Sequence, residues 1–255
     1  MDHVIIHCSR IPQINWLTTA AHAQDAERNP DSVHLYRIRI ADHQPAIPGY
    51  YNLLSADEVY RAGAYHHRKD SDRFVISRAI LRILLAAGTD LPATDIRFGK
   101  TPHKKPYQVS IHEIAPCFNV SHAGDMIMIG MSGQDIGADI EFIDPTFGFD
   151  EVLDYAFTVL EKQYVRAAPD PRTSFYEIWS RKESLLKATG KGVGNNLASA
   201  QCLDGENQVP AASIGSATNW IVRSFDADQG YIGNISFANP APISFYEVVP
   251  GLFMK

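Results

Sequence analysis

Cysteine is scarce in this chain of 255 residues: Cys8, Cys117 and Cys202 are the only three, far apart and in no metal-ligand spacing. An odd number cannot form a closed disulfide set, so buried, reduced thiols are expected rather than a disulfide scaffold or a thiolate zinc site. Long apolar runs are missing too. No stretch approaches the roughly 18 uninterrupted apolar residues of a membrane span, and Met1 is followed by Asp2 and mixed polar residues rather than by a basic leader. A cytoplasmic protein with no membrane partner is the expectation. Positive charge is also short, with 23 Lys and Arg against 29 Asp and Glu and a net charge of -6. That disfavours general nucleic-acid binding, which rests on neutralising phosphates with Lys and Arg, and no nucleic-acid partner is expected.

What is present is ordinary globular material, 45% hydrophobic and 20% charged, enough to bury one large core or two modest ones. Val33–Ile40 reads as a strand, and Ser55 stands three residues before Glu58, the spacing of a capping box that starts a helix. From Asp72 to Ala87 the residues Val75, Ile76, Ala79, Ile80, Ile83 and Leu84 recur at helical spacing, and Gly88 can end the run. Phe118–Val120, the polar turn Ser121–Asp125 and Met126–Met131 read as a hairpin with His122 at its tip, followed by a strand over Ile136–Ile143. A boundary between two halves is placed near Ser132–Asp135, giving residues 1–133 and 134–255. In the second half, Ser174 and Glu177 have capping-box spacing, so a helix is expected over Phe175–Ala188 with Gly190 at its end. Strands follow at Trp220–Phe225, Tyr231–Phe237 and Ser244–Val249.

Two basic clusters interrupt the acidic background: Arg61, His66, His67, Arg68, Lys69, Arg73, Arg78 and Arg82, then Lys100, His103, Lys104 and Lys105. Each alone is equally readable as solvated surface. In Gly137-Ala138-Asp139-Ile140-Glu141 the two carboxylates are two residues apart in an expected strand and so project from one face. They would make the polar side of an amphipathic strand, but Ile136, Ile140, Phe142 and Ile143 suggest burial, where ionised carboxylates need a counter-cation. Mg²⁺ fits, since it prefers oxygen ligands and bridges carboxylates to substrate phosphates. Trp179, Glu183 and Lys187 follow at four-residue steps along one helix face. Glu183 and Lys187 are readable as a surface ion pair, or as a third acid and a phosphate-binding cation beside the strand.

In order along the chain, Phe118-Asn119-Val120-Ser121-His122, Gly137-Ala138-Asp139-Ile140-Glu141 and Trp179-Ser180-Arg181-Lys182-Glu183-Ser184-Leu185-Leu186-Lys187, with Gly190-Lys191-Gly192, resemble the Sfp-type 4′-phosphopantetheinyl transferases. The resemblance covers roughly residues 53–200. It implies an α/β (α+β) pseudo-dimer of two similar α/β halves in one chain, with coenzyme A in the cleft between them. The activity it implies is Mg²⁺-dependent transfer of the 4′-phosphopantetheine arm from coenzyme A to a serine of an acyl or peptidyl carrier protein. The carriers would be those of polyketide, nonribosomal-peptide or fatty-acid synthesis, and the enzyme a monomer.

By position, the resemblance makes Asp139, Glu141 and Glu183 the metal-binding acids, with Glu183 also the candidate base and Lys187 the contact to the pyrophosphate. Arg61, Arg73, Ser121 and His122 would engage coenzyme A, the basic ones at its 3′-phosphate, while Lys105 and Pro106 would line the nucleotide pocket. The family's Gly-Lys-Pro is Lys104-Lys105-Pro106 here, which removes glycine's backbone freedom from that loop. Tyr155-Ala156-Phe157-Thr158 with Glu161 matches the carrier-facing segment only in part. A non-catalytic coenzyme- or carrier-binding homologue and a metal-dependent phosphohydrolase are the competing readings.

Overall fold

A computed structural model describes residues 2–18, 31–89, 91–109, 115–190 and 197–250. In chain order the elements are β1 (His3–Arg10), β2 (Trp16–Thr18), β3 (Val33–Arg39), α1 (Ile40–His43), α2 (Ile47–Tyr51), α3 (Ala56–Gly63), α4 (Arg68–Ala86), β4 (Arg97–Lys100), β5 (Pro106–Val109), β6 (Cys117–Ala123), β7 (Met126–Ser132) and β8 (Ile136–Phe142). Then come α5 (Asp150–Ala156), α6 (Val159–Ala167), α7 (Pro171–Thr189), β9 (Gly205–Pro210), α8 (Ala211–Ile214), β10 (Trp220–Asp228), β11 (Tyr231–Phe237) and β12 (Ile243–Glu247). Among the described residues no helix is long and apolar enough to cross a membrane.

Alternation along the strands sorts the apolar residues into layers. In β3 and β7, Tyr36, Ile38, Ile127, Ile129 and Met131 face α4 and meet its Val75, Ile76, Ala79 and Ile80. Val33, Leu35, Met126 and Met128 point the other way, into a core shared with Ile136, Ala138 and Ile140 of β8 and Ile235 of β11. Beyond that second sheet, Leu185 and Ala188 of α7 pack on Val4, Ile6, Cys8 and Val222. The result is two α/β halves set sheet to sheet, each with a long helix on its outer face.

One sheet runs β2-β12-β3-β7-β6 and the other β8-β11-β10-β1-β9. The boundary expected at 133/134 falls between β7 and β8, yet both ends of the chain cross it. β1 pairs parallel with β10 and antiparallel with β9, because Val4, Ile6 and Cys8 bury one face of it against α7. β12 returns between β2 and β3 of the first sheet, parallel to both.

Local signals explain where the helices begin. Ser55 Oγ accepts from the Glu58 amide at 3.4 Å and the Glu58 carboxylate accepts from the Ser55 amide at 2.9 Å, the expected capping box. The helix expected at Phe175 starts earlier, at Pro171, because the Asp170 side chain caps it through the Thr173 amide and proline suits the first helical position. Ser174 is therefore inside α7. Its end is as expected, with Gly190 left-handed at φ 69°, while Lys191 and Gly192 lie outside the described residues. The β6–β7 turn is tighter than expected, with Gly124 at φ 51°, so His122 is in β6, paired with Ile127, rather than at the tip.

Two backbone positions carry testable consequences. A Cβ at Gly137 would lie 2.0 Å from the Ser184 carbonyl oxygen and 2.3 Å from the Ala188 amide nitrogen. Gly137→Ala must therefore push α7 off β8, and urea denaturation is expected to show a loss of about 3 kcal/mol or more; a loss below about 1 kcal/mol would contradict the close approach. Lys104 holds φ 65°, among the described residues the sole non-glycine in the left-handed region. Lys104→Gly is expected to stabilise the protein by about 1 kcal/mol, read as a raised Tm.

Candidate active site

β8 directs Ile136, Ala138 and Ile140 into the inter-sheet core and turns Gly137, Asp139 and Glu141 toward α7. Trp179, Glu183 and Lys187 descend the facing stripe of that helix. β6 closes the third side with Ser121 and His122. Together with Val120 and Ile140 these residues line one cleft of about 440 Å³. The edge strands of the two sheets are stitched beside it, since Asn119 Oδ1 accepts from the Ala138 amide at 2.9 Å.

Asp139 is buried, at 2% exposure. Its Oδ1 receives the Lys187 ammonium at 2.5 Å and the Ser121 hydroxyl at 2.9 Å, and Lys187 Nζ also donates to Ser121 Oγ at 2.9 Å. Its Oδ2 is equally buried and has no hydrogen-bond partner among the described residues. Glu141 accepts from the Trp179 indole at 3.0 Å. Burial, and then the Asp139 charge, push the Glu141 carboxyl up to about 7, and the same two causes in the same order raise Glu183. Three acids share one ammonium in this cleft, and two of them resist ionisation.

Those features fit a hard divalent cation. All three acids offer oxygen, one buried carboxylate oxygen lacks a donor among the described residues, and two carboxyls are held toward protonation by burial and then by the Asp139 charge, the second of which a cation would offset. Among the described residues no three carboxylate, imidazole or thiol groups already form a closed cage. Mg²⁺ does not need one, because it is usually held by one or two carboxylates, water and substrate phosphates.

A neighbouring cavity of about 180 Å³ is lined by Arg61, Asp70, Arg73, Phe74 and Pro106, and shares Val120 and His122 with the first. Arg73 donates to Asp70 at 2.8 Å and the Arg61 guanidinium lies 4.7 Å from the Phe74 ring centre. Burial, followed by the Arg73 and Lys187 charges, holds His122 below the ordinary imidazole range, so its neutral ring can accept a proton when an anion arrives. Six of the expected residues in the first cleft thus meet three in the second.

Lys105 stands apart. Its ammonium donates to the backbone carbonyls of Ile136 at 3.2 Å and Ala188 at 2.9 Å, and burial lowers its pKa. It braces the 101–106 loop against β8 and α7. The first basic cluster divides likewise: Arg82, 1% exposed, binds Glu58 and the carbonyls of Ala93 and Ile96, and Arg78 also pairs with Glu58.

Sequence reasoning missed the support behind α7. Lys182 is fully buried, 2.8 Å from Glu161 and bonded to the carbonyls of Leu197 and Ala200. Glu161 also completes a capping box with Thr158 and accepts from the Cys202 amide. The Thr158-to-Glu161 spacing was the available signal.

Residues 135–236 match the family described as the 4′-phosphopantetheinyl transferase superfamily, and residues 44–133 match the 4′-phosphopantetheinyl transferase N-terminal family. The chain is 35% identical over 195 residues to a Synechocystis protein provisionally named 4′-phosphopantetheinyl transferase, covering 73% of this chain and 78% of that one. It is 30% identical over 190 residues to a Bacillus subtilis 4′-phosphopantetheinyl transferase, covering 73% and 83%. To the Bacillus subtilis transferase Sfp it is 27% identical over 194 residues, covering 75% and 85%.

The indole bond favours the charged form of Glu141. Trp179→Phe keeps the ring and removes the donor, so the Glu141 carboxyl of the cation-free protein should titrate above its value of about 7. Carbon-13 NMR of labelled glutamate reads this directly; an unchanged midpoint would mean that the indole does not hold that carboxylate.

Proposed function

The chain belongs to the 4′-phosphopantetheinyl transferase superfamily and is an enzyme of that kind, and from that premise we propose that it moves the 4′-phosphopantetheine arm of coenzyme A onto a serine of an acyl or peptidyl carrier protein, with Mg²⁺, as a monomer. The observation that carries this reading is the junction of the two cavities at Val120 and His122: three acids and a lysine on one side, Arg61 and Arg73 on the other. A ligand with a diphosphate that arrives with a divalent cation, and with a separate phosphate, has complementary charge for both.

Asp139, Glu141 and Glu183 would hold the Mg²⁺, which when bound neutralises charge on the diphosphate oxygens. Lys187 supplies a second positive charge in the same cleft, and Arg61, Arg73 and His122 orient the nucleotide end. The carrier serine oxygen forms a bond to the β-phosphorus while that phosphorus parts from its bridging oxygen, releasing adenosine 3′,5′-bisphosphate. The serine proton passes to Glu183, the carboxylate that α7 presents to the cleft. Lys105 contributes at one remove, by fixing the loop that ends in Pro106.

Glu183 accepts a proton only when ionised, so activity should fall along an acid limb as pH drops and this carboxylate is protonated. Glu183→Gln is expected to lower kcat by about 100-fold or more and to abolish that limb. The measurement is the mass gain of an apo carrier protein incubated with Mg²⁺ and coenzyme A. Failure of the wild type on every carrier class, or release of nucleotide without any acceptor, would reject the proposal, the latter in favour of a phosphohydrolase.

A further inference from the structure

Lys187 stands where a cation is wanted. Asp139 is 2% exposed, and a carboxylate that deeply buried needs a positive partner to remain charged. The ammonium supplies it at 2.5 Å, while the Ser121 hydroxyl touches both groups at 2.9 Å. A divalent ion on that carboxylate would lie within a few ångströms of the ammonium, and two cations that close repel strongly in a half-buried cleft. Lys187 is nonetheless not locked in, because its side chain is 28% exposed and opens into the 440 Å³ cleft on a flexible four-carbon stem.

We infer that Lys187 is a placeholder cation, held on Asp139 by Ser121, that a divalent ion displaces once an incoming diphosphate offers the ammonium another anion. This rests on the metal-assisted reading above and adds an order to it. The bare protein binds the ion weakly, and ion and diphosphate enter together. Because binding couplings are reciprocal, each tightens the other by the same factor. Ser121 acts as a positioning residue, steadying the ammonium on Asp139 until the ion arrives.

Mn²⁺ is the probe, with free ion counted by electron paramagnetic resonance during titration of the full chain. Lys187→Met is compared with wild type and with Arg73→Met, which removes one positive charge from the adjoining cavity without touching Asp139. In the absence of coenzyme A, Lys187→Met should bind Mn²⁺ about ten-fold more tightly than wild type, and Arg73→Met should differ from it by less than about three-fold. Adding coenzyme A should tighten Mn²⁺ about ten-fold or more in wild type and by a smaller factor in Lys187→Met, where only the direct attraction between ion and diphosphate remains. Equal affinity of wild type and Lys187→Met without coenzyme A, or an equal gain in both charge-removal variants, overturns the exchange and leaves the metal-assisted reading standing. No Mn²⁺ binding by wild type with coenzyme A present overturns both. Should circular dichroism show Lys187→Met unfolded, Ser121→Ala decides: it frees the ammonium from its second partner and should tighten Mn²⁺ alone, and an unaltered affinity overturns the proposal.

Discussion

Helix α7 can lie on β8 only because position 137 has no side chain. At that point the helix backbone occupies the space a Cβ would need, which is the closest kind of helix-to-strand approach a fold allows. Everything in the acidic cleft follows from it. Asp139 and Glu141 come next on the same face of β8, and the stripe Trp179, Glu183, Lys187 comes down at the right depth for an indole-to-carboxylate bond and an ammonium-to-carboxylate bond. The far side of α7 is fixed by buried charge. Arg181 reaches Glu177, Asp204, Ser224 and the Cys202 carbonyl, and Lys182 reaches Glu161 and two carbonyls. Such pairs are poor sources of net stability but costly to break, so they resist rotation of the helix.

The same site lies on a seam between halves. β6 ends one sheet and β8 ends the other, and the Asn119 amide and the Lys105 ammonium cross between them. The exchange of β1 and β12 ties the halves a second time, far along the sequence. His43 adds a further tie, its ring set between the Tyr50 hydroxyl at 2.6 Å and the Val248 carbonyl at 2.9 Å. A cleft whose two walls come from different halves needs such ties, because inter-domain surfaces otherwise permit relative motion.

The legible parts of the sequence were those governed by local periodicity. Alternation in 136–142 gave the shared face of Asp139 and Glu141, and the 3.6-residue repeat gave α4 and the stripe on α7. Where two local signals compete, the stronger sets the boundary: Ser174 and Glu177 have capping-box spacing, but Asp170 followed by Pro171 starts the helix a turn earlier. Long-range pairing was not legible. Nothing near Lys105 announces that its ammonium ends on carbonyls of Ile136 and Ala188, and nothing near Arg82 announces that Glu58, Ala93 and Ile96 absorb it. β1 escaped for the same reason, since its partners are about two hundred residues away.

That division among the basic residues matters for the chemistry. A count of the first cluster suggests a broad cationic surface, yet Arg78 and Arg82 are committed to Glu58, while Arg61 and Arg73, the latter paired with Asp70, line the cavity that joins the acidic cleft. The acidic end is unbalanced in the opposite sense, with two of its three carboxyls raised toward protonation. Charge is thus left unbalanced on both sides of His122, with three acids to one ammonium in the cleft and Arg61 with Arg73 against Asp70 in the adjoining cavity. A fold that buries ion pairs as fully as Lys182 with Glu161 could have neutralised these groups as well. Leaving them open is destabilising in isolation, and the natural physical account is a ligand that brings anions to one end and, with a cation, to the other.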